Sequence, residues 1–263
     1  LLPTANLLRQ YGVPSKSVVF CTSALFRQSA IAEFQRLTGY EIQSLPYFEA
    51  MVLQEDKIGK RSARKRVANT TCPTKKFLML NRRIDKSPHR VAVFLDILRR
   101  GLVDKGHISM VWEDLDDPQQ TLRDRIHEIS QFPPTDARDQ LIQFGLNFFA
   151  EGPRVLPRTL DVTFVPNWKR RHTTDDHYSN EIGGFYEDSF FSVIPEGFWN
   201  AARESDLDSP SMISEKVFFA MLNRHPFLIA GEPYSLARLK EYGYQTFASW
   251  WDESYDEILD PTQ

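Results

Sequence analysis

The sequence predicts an α/β fold, a mostly parallel sheet with helices on both faces and a smaller α/β part at the N-terminus. Two observations lead there. Short apolar runs, "KFLMLN" (76–81), "FFSVIPE" (190–196) and "PFLIAG" (226–231), have the length and composition of buried strands. Between them lie longer stretches whose apolar residues recur at helical spacing. Strands that alternate with helices place a parallel sheet between two helical layers.

The elements follow in order. "SVVFC" (17–21) is a strand candidate. "SALFRQSAIAEFQRLTGY" (23–40) sets Leu25, Ala32, Phe34 and Leu37 at roughly helical spacing and closes on Gly39. "EIQSLPYFEAMVL" (41–53) alternates but holds a proline, which confines a strand to a sheet edge. "KIGKRSARKR" (57–66) is a basic run with no acid inside it. "KFLMLN" opens the stronger half and leads through "RRIDKSPHR" to a helix with Val91, Phe94, Leu95 and Leu98 on one face and Gly101 at its end. "HISMVW" (107–112) is the next strand, and two helices are expected between Pro118 and Ala150. "FFSVIPE" follows, then a helix from Ser214 whose apolar face is Val217, Phe218, Met221 and Leu222, then "PFLIAG". "YSLARLKEYGY" (234–244) predicts a helix, "QTF" (245–247) a short strand, and "DESYDEI" (252–258) the start of a last acidic helix. The pattern divides the chain into residues 1–76 and 77–263. Sheets of this kind bind ligands off the carboxyl ends of their strands. Asn81, Glu196 and Gly231 each follow such an end and are expected to converge on one cleft.

Composition sets the outer bounds. A chain of 263 residues holds one large or two modest domains. Its net charge of −3 gives no overall field toward DNA or acidic membranes. Cys21 and Cys72 have neither metal-ligand spacing nor a disulfide framework and are expected to be plain thiols. No apolar stretch approaches the roughly 18 residues of a membrane span. No signal peptide is visible, and a cytoplasmic location is expected. Neither G-x-G-x-x-G nor a P-loop occurs, which argues against a dehydrogenase or an NTPase.

The stretch "SMISEKVFFAMLNRHPFLIAGEP" (211–233) carries the chemistry. Ser214 has the hydroxyl of an N-cap and Glu215 the charge that a helix N-terminus favours. Lys216 has the wrong sign for that place unless an anion lies nearby.

This stretch resembles the C-terminal domain of fucosyltransferase-like and related GT-B-fold glycosyltransferases. There a strand ending in an acid precedes a "TEK"-type helix and an apolar "PVVxG" strand. Here the pieces are Glu196, then Ser214-Glu215-Lys216, then Pro226 to Gly231. "FLMLNRRIDKSPHRVAVFLDIL" is similar to the family's other nucleotide-side motif, with Asn81 and Arg90 at matching positions and Arg82 and Arg83 as added cations. "SLARLKEYGYQTFASWWDESYDEI" resembles phage- and virus-encoded members of the group. The likeness covers roughly Lys76 to Pro261. Two departures are that Ser214 replaces the usual Thr and that "IPEG" lacks the Asn which commonly follows the family's Glu.

The resemblance implies a Rossmann-like, GT-B-like donor domain in 77–263 and an acceptor-side part in 1–76. It implies a nucleotide-sugar co-substrate, no cofactor or metal, and inverting transfer to an acceptor hydroxyl. Lys216 and Arg90 would hold the diphosphate, with Asn81, Arg82 and Ser214 beside them. Glu215 would reach a ribose, and Glu196 the sugar or the reacting oxygen. The matched acids include no clear general base, which leaves Glu33, Glu49 and Glu55 as unranked candidates.

Weaker signals remain. Asp114-Leu115-Asp116 is a DxD, the metal signature of another glycosyltransferase fold, but it precedes Pro118 like a helix start. His172 and His177 flank two aspartates without a standard metal spacing. Trp250, Trp251 and Tyr255 suit core packing or helix docking better than a sugar platform. Lys57, Arg61 and Arg64 sit in a basic loop that either lies solvated or contacts a polyanionic acceptor. The acceptor class stays open among glycan, protein, lipid and DNA. The alternatives are a DNA glycosyltransferase and a non-catalytic nucleotide- or glycan-binding module that keeps the fold.

Overall fold

The computed structural model describes residues 2–22, 25–26, 28–44, 72–81, 87–110, 117–150, 184–197 and 213–258. In chain order the elements are α1 (Leu2–Gln10), β1 (Val19–Thr22), α2 (Gln28–Thr38), β2 (Glu41–Ser44), β3 (Lys75–Asn81), α3 (Pro88–Arg99), β4 (Gly106–Met110), α4 (Pro118–Glu128), α5 (Asp136–Ala150), β5 (Ser189–Pro195), α6 (Glu215–Leu222), β6 (Phe227–Ala230) and α7 (Ser235–Glu241).

β1 and β2 pair in parallel with Val19 opposite Glu41, and α2 crosses between them. Ala5, Phe34, Tyr40 and Ile42 form a small core beneath. Gly39 ends α2 at φ +74, a left-handed conformation that suits glycine. The expected face of α2 is only partly right. Phe34 is buried, but Leu37 lies on the helix flank and is 45% exposed. Leu25 precedes the helix and packs into a different core, against α6 and α7.

The main sheet has the order β4–β3–β5–β6 among the described residues, and every pairing is parallel. β3 supplies both faces. Phe77 and Met79 pack with α3, α4 and α5, while Leu78 and Leu80 pack with α6 and α7. With no face left for water, the strand has no reason to alternate. The result is α/β, a Rossmann-like parallel sheet with helices on both sides. Val91, Phe94 and Leu95 of α3 are fully buried, as expected, with Leu98 packed behind them. Gly101 then closes that helix at φ +63. α5 comes close because residue 145 is glycine, where a Cβ would sit 2.9 Å from both Ile126 and Leu95.

The end of the described chain departs from expectation. Residues 245–247 form no strand. Their polar groups go instead to Glu253, whose carboxylate accepts from the Thr246 hydroxyl at 2.8 Å and the Phe247 N–H at 2.7 Å. The acidic segment makes one 3₁₀ turn, Ser254–Glu257. Asp256 there accepts from the N–H groups of Leu236 (2.9 Å) and Ala237 (3.1 Å), so the segment caps α7. Among the described residues no helix is long and apolar enough to cross a membrane.

Candidate functional site

The strand order reverses between β3 and β5. The chain leaves β3 toward β4 on one side, then returns to the other side for β5 and β6. The crevice outside such a switch point is where open α/β sheets take ligands. Asn81 ends β3 and Glu196 follows β5 directly, so the sheet brings both to this point.

The first turn of α3 is tied to the exit of β5. Ser87 stands at the N-cap, but its hydroxyl donates to the Gly197 carbonyl at 3.0 Å rather than accepting from the helix. Arg90 Nε donates to the Glu196 carbonyl at 2.8 Å, and His89 Nε2 contacts the same oxygen at 2.9 Å. A carbonyl only accepts, so Nε2 carries the proton. Burial pushes the His89 pKa down to about 3, and the charges of Arg90 and Lys216 act in the same direction. The imidazole is therefore neutral at ordinary pH. Asn81 is fully buried and donates through Nδ2 to the Arg90 carbonyl at 3.2 Å. Its Oδ1 has no hydrogen-bond partner among the described residues.

Glu196 joins β5 to α6. Its side chain is 1% exposed, Oε2 accepts from the Gly197 N–H at 3.1 Å, and Oε1 accepts from the Ser214 N–H at 3.0 Å. The expected contact with a sugar or an acceptor oxygen has to be set against this arrangement, in which both oxygens engage backbone donors. Ser214 occupies the N-cap of α6, but its hydroxyl makes no cap bond and is buried without a partner among the described residues. This corrects the expectation that it takes a helix N–H. Lys216 is half-buried, and its ammonium reaches back to the Pro195 carbonyl at 3.1 Å. Glu215 is half-buried in the first turn of α6.

The electrostatic pattern is unusual. Helix N-termini favour acids, yet α3 has no acid in its first turn and carries Arg90 there. α6 carries Lys216 beside Glu215. Both side chains bond to the 195–196 backbone. Two cations and two helix N-termini thus flank one buried carboxylate, an arrangement suited to an anion.

Other sequence candidates fall elsewhere. Arg82 and Arg83, the basic residues Lys57, Arg61 and Arg64, the pair Asp114 and Asp116, the histidines His172 and His177, and the acids Glu49 and Glu55 lie outside the described residues. The N-cap of α4 is Asp117, which accepts from the Gln120 N–H at 2.9 Å. Glu33 is exposed on α2 and forms a two-pronged bond with Arg36, each contact 2.6 Å. Trp251 packs on Phe247 and Phe191, while Trp250 is 72% exposed. The sequence does not single out His89. Its signal was the Ser-Pro start of the helix, which puts the next two residues in the first turn.

Comparison with protein-family models, with curated proteins and with solved structures finds no match for this chain.

Proposed function

We propose that the protein is a glycosyltransferase that moves a sugar from a nucleotide-sugar donor to an acceptor hydroxyl, with its main sheet as the donor half of a GT-B-type fold. One observation carries the reading: Arg90 and Lys216 stand in the first turns of two helices that flank the switch point of a parallel sheet. Their order along the chain, with Asn81 before and Glu196 between, is the order of the donor-site residues in the fucosyltransferase-like resemblance.

In this reading the donor diphosphate lies across the two helix N-termini. Lys216 exchanges the Pro195 carbonyl for a phosphate oxygen. The acceptor oxygen attacks the anomeric carbon, its proton passes to a carboxylate base, and the bond from that carbon to the diphosphate oxygen breaks. The leaving nucleoside diphosphate keeps the electron pair and is stabilised by the two cations. Transfer is inverting and needs no metal. Glu196 acts as a positioning residue, holding Gly197 and the start of α6 so that Arg90 and Lys216 stay aligned. The base is then another carboxylate.

The experiment is a thermal-shift screen of nucleotides and nucleotide sugars, followed by transfer assays with and without EDTA. A selective rise in melting temperature with one nucleoside diphosphate series is expected, because a ligand that binds only the native state stabilises it. Sugar release or transfer should then persist in EDTA. Absence of any shift would overturn the reading, and binding without turnover would leave a nucleotide-binding module.

A further inference from the structure

A cleft of about 390 Å³ opens beside the switch point, on the α3 side of the sheet. His89, Val93 and Asp96 form one wall, spaced along a single face of α3. Val193 and the run Leu228 to Pro233 form the floor, and Tyr255 and Ile258 close the far side. None of these wall positions except Gly231 was expected to touch a ligand.

Three properties define what fits. The volume lies within the roughly 300–1,000 Å³ of small-molecule pockets. The walls are largely aliphatic and aromatic, which suits a flat ring. The charged side chains among the described lining residues are Asp96, Glu232 and Asp256; Arg99 and Arg100 hold the Asp96 carboxylate at 2.8 and 2.6 Å, and the α7 amides hold Asp256. Among the described lining residues no cation stands ready for a phosphate, whereas a neutral ring needs none. One residue joins the cleft to the cations. His89 lines the cleft and shares the Glu196 carbonyl with Arg90. A ligand that fills the cleft and extends past His89 therefore passes from a largely apolar lining to two cations.

We infer that this cleft takes the nucleoside of a nucleoside diphosphate whose phosphates lie at Arg90 and Lys216. The inference rests on the nucleotide reading above and adds where the base is held and which way the ligand points. The phosphates leave the cleft past His89, and the base lies between Val93 and the loop after β6.

Titration calorimetry of the full chain tests it, with adenosine, guanosine, cytidine and uridine, their diphosphates, and inorganic pyrophosphate as probes. Val93→Trp and Leu228→Trp each fill the cleft from a half-buried position. In either variant the preferred diphosphate should bind at least tenfold more weakly, with pyrophosphate affinity unchanged. Arg90→Gln should do the reverse, losing pyrophosphate while keeping the bare nucleoside. If neither tryptophan variant folds, hydrogen exchange of the wild type decides: the preferred nucleoside should slow exchange in residues 89–96 and 228–233. Folded variants with wild-type diphosphate affinity, or absence of that protection, overturn the cleft assignment and leave the nucleotide reading intact. A wild type that binds pyrophosphate but no nucleotide overturns both.

Discussion

Glu196 and Ser214 are 18 residues apart in sequence, yet a carboxylate oxygen of the first holds the backbone N–H of the second at 3.0 Å. The side chain that caps α6 thus comes from the end of β5. Glu196→Gln would present an amide N–H₂ to one of two backbone donors, Gly197 or Ser214. Leaving such buried donors facing one another costs about 1–3 kcal/mol. Thermal or urea unfolding should show that loss without ligand. A variant of wild-type stability with normal turnover would remove the positioning role.

Lys216 has a different signature. The residue is half-buried and its ammonium donates to the Pro195 carbonyl. Lys216→Ala should weaken nucleoside-diphosphate binding by about 1.5–3 kcal/mol, the range for hydrogen bonds to charged groups. Lys216→Arg should recover part of it. Calorimetric titration of both variants checks this, and unchanged affinity in the alanine variant would count against the donor site.

His89 and His225 make the fold sensitive to acid. Burial lowers both pKa values from 6.5, that of His89 to about 3. At His225 the ring donates through Nε2 to the Ser189 carbonyl at 2.8 Å, which leaves Nδ1 to accept from the Ser192 hydroxyl at 2.8 Å. The unfolded chain binds these protons first. The stability they confer is fully present above pH 6.5 and is lost as pH falls below it, toward the folded pKa values. Each neutral histidine then contributes up to about 1.4 kcal/mol per pH unit. Melting temperature should fall steadily between pH 6.5 and 5, and His225→Gln should flatten the slope. A slope equal to the wild type's would exclude that histidine as a source.

Gly231 makes the site intolerant of a methyl group. A Cβ there would lie 2.8 Å from Glu196 Cβ and 3.2 Å from its Cγ. Neither atom is the far end of a flexible chain. Gly231→Ala should cost about 1–3 kcal/mol in stability, as overpacking does. Because Glu196 must shift, nucleotide affinity should fall as well. Unfolding curves and titrations on the same sample give both numbers.

These cases mark what the sequence conveys. β3, β5 and β6 were legible because a strand covered on both faces is a run of apolar residues, as in Lys75–Asn81. The face of α3 was legible through the spacing of Val91, Phe94 and Leu95. What escaped depends on partners distant in sequence. "QTF" has strand composition, but Glu253 takes its polar groups. "DESYDEI" has helix composition, but Asp256 serves α7 and its segment stops after one turn. Ser214 looks like a cap, and the cap function belongs to Glu196. A buried histidine such as His89 or His225 leaves no periodic trace.

The strand order also has a consequence for synthesis. Arg90 and the carbonyl it grips are 106 residues apart, and β3 gains its β5 neighbour only after α4 and α5 have been made. Closing a loop of that length costs entropy before the contact returns anything, and folds dominated by such contacts form slowly. On the ribosome, β3 therefore waits with one edge unpaired while some hundred residues emerge. The nascent chain acquires the candidate site late, when β5, α6 and β6 dock. If the proposed nucleotide binds only the completed site, its presence at that moment would act on the last step of folding.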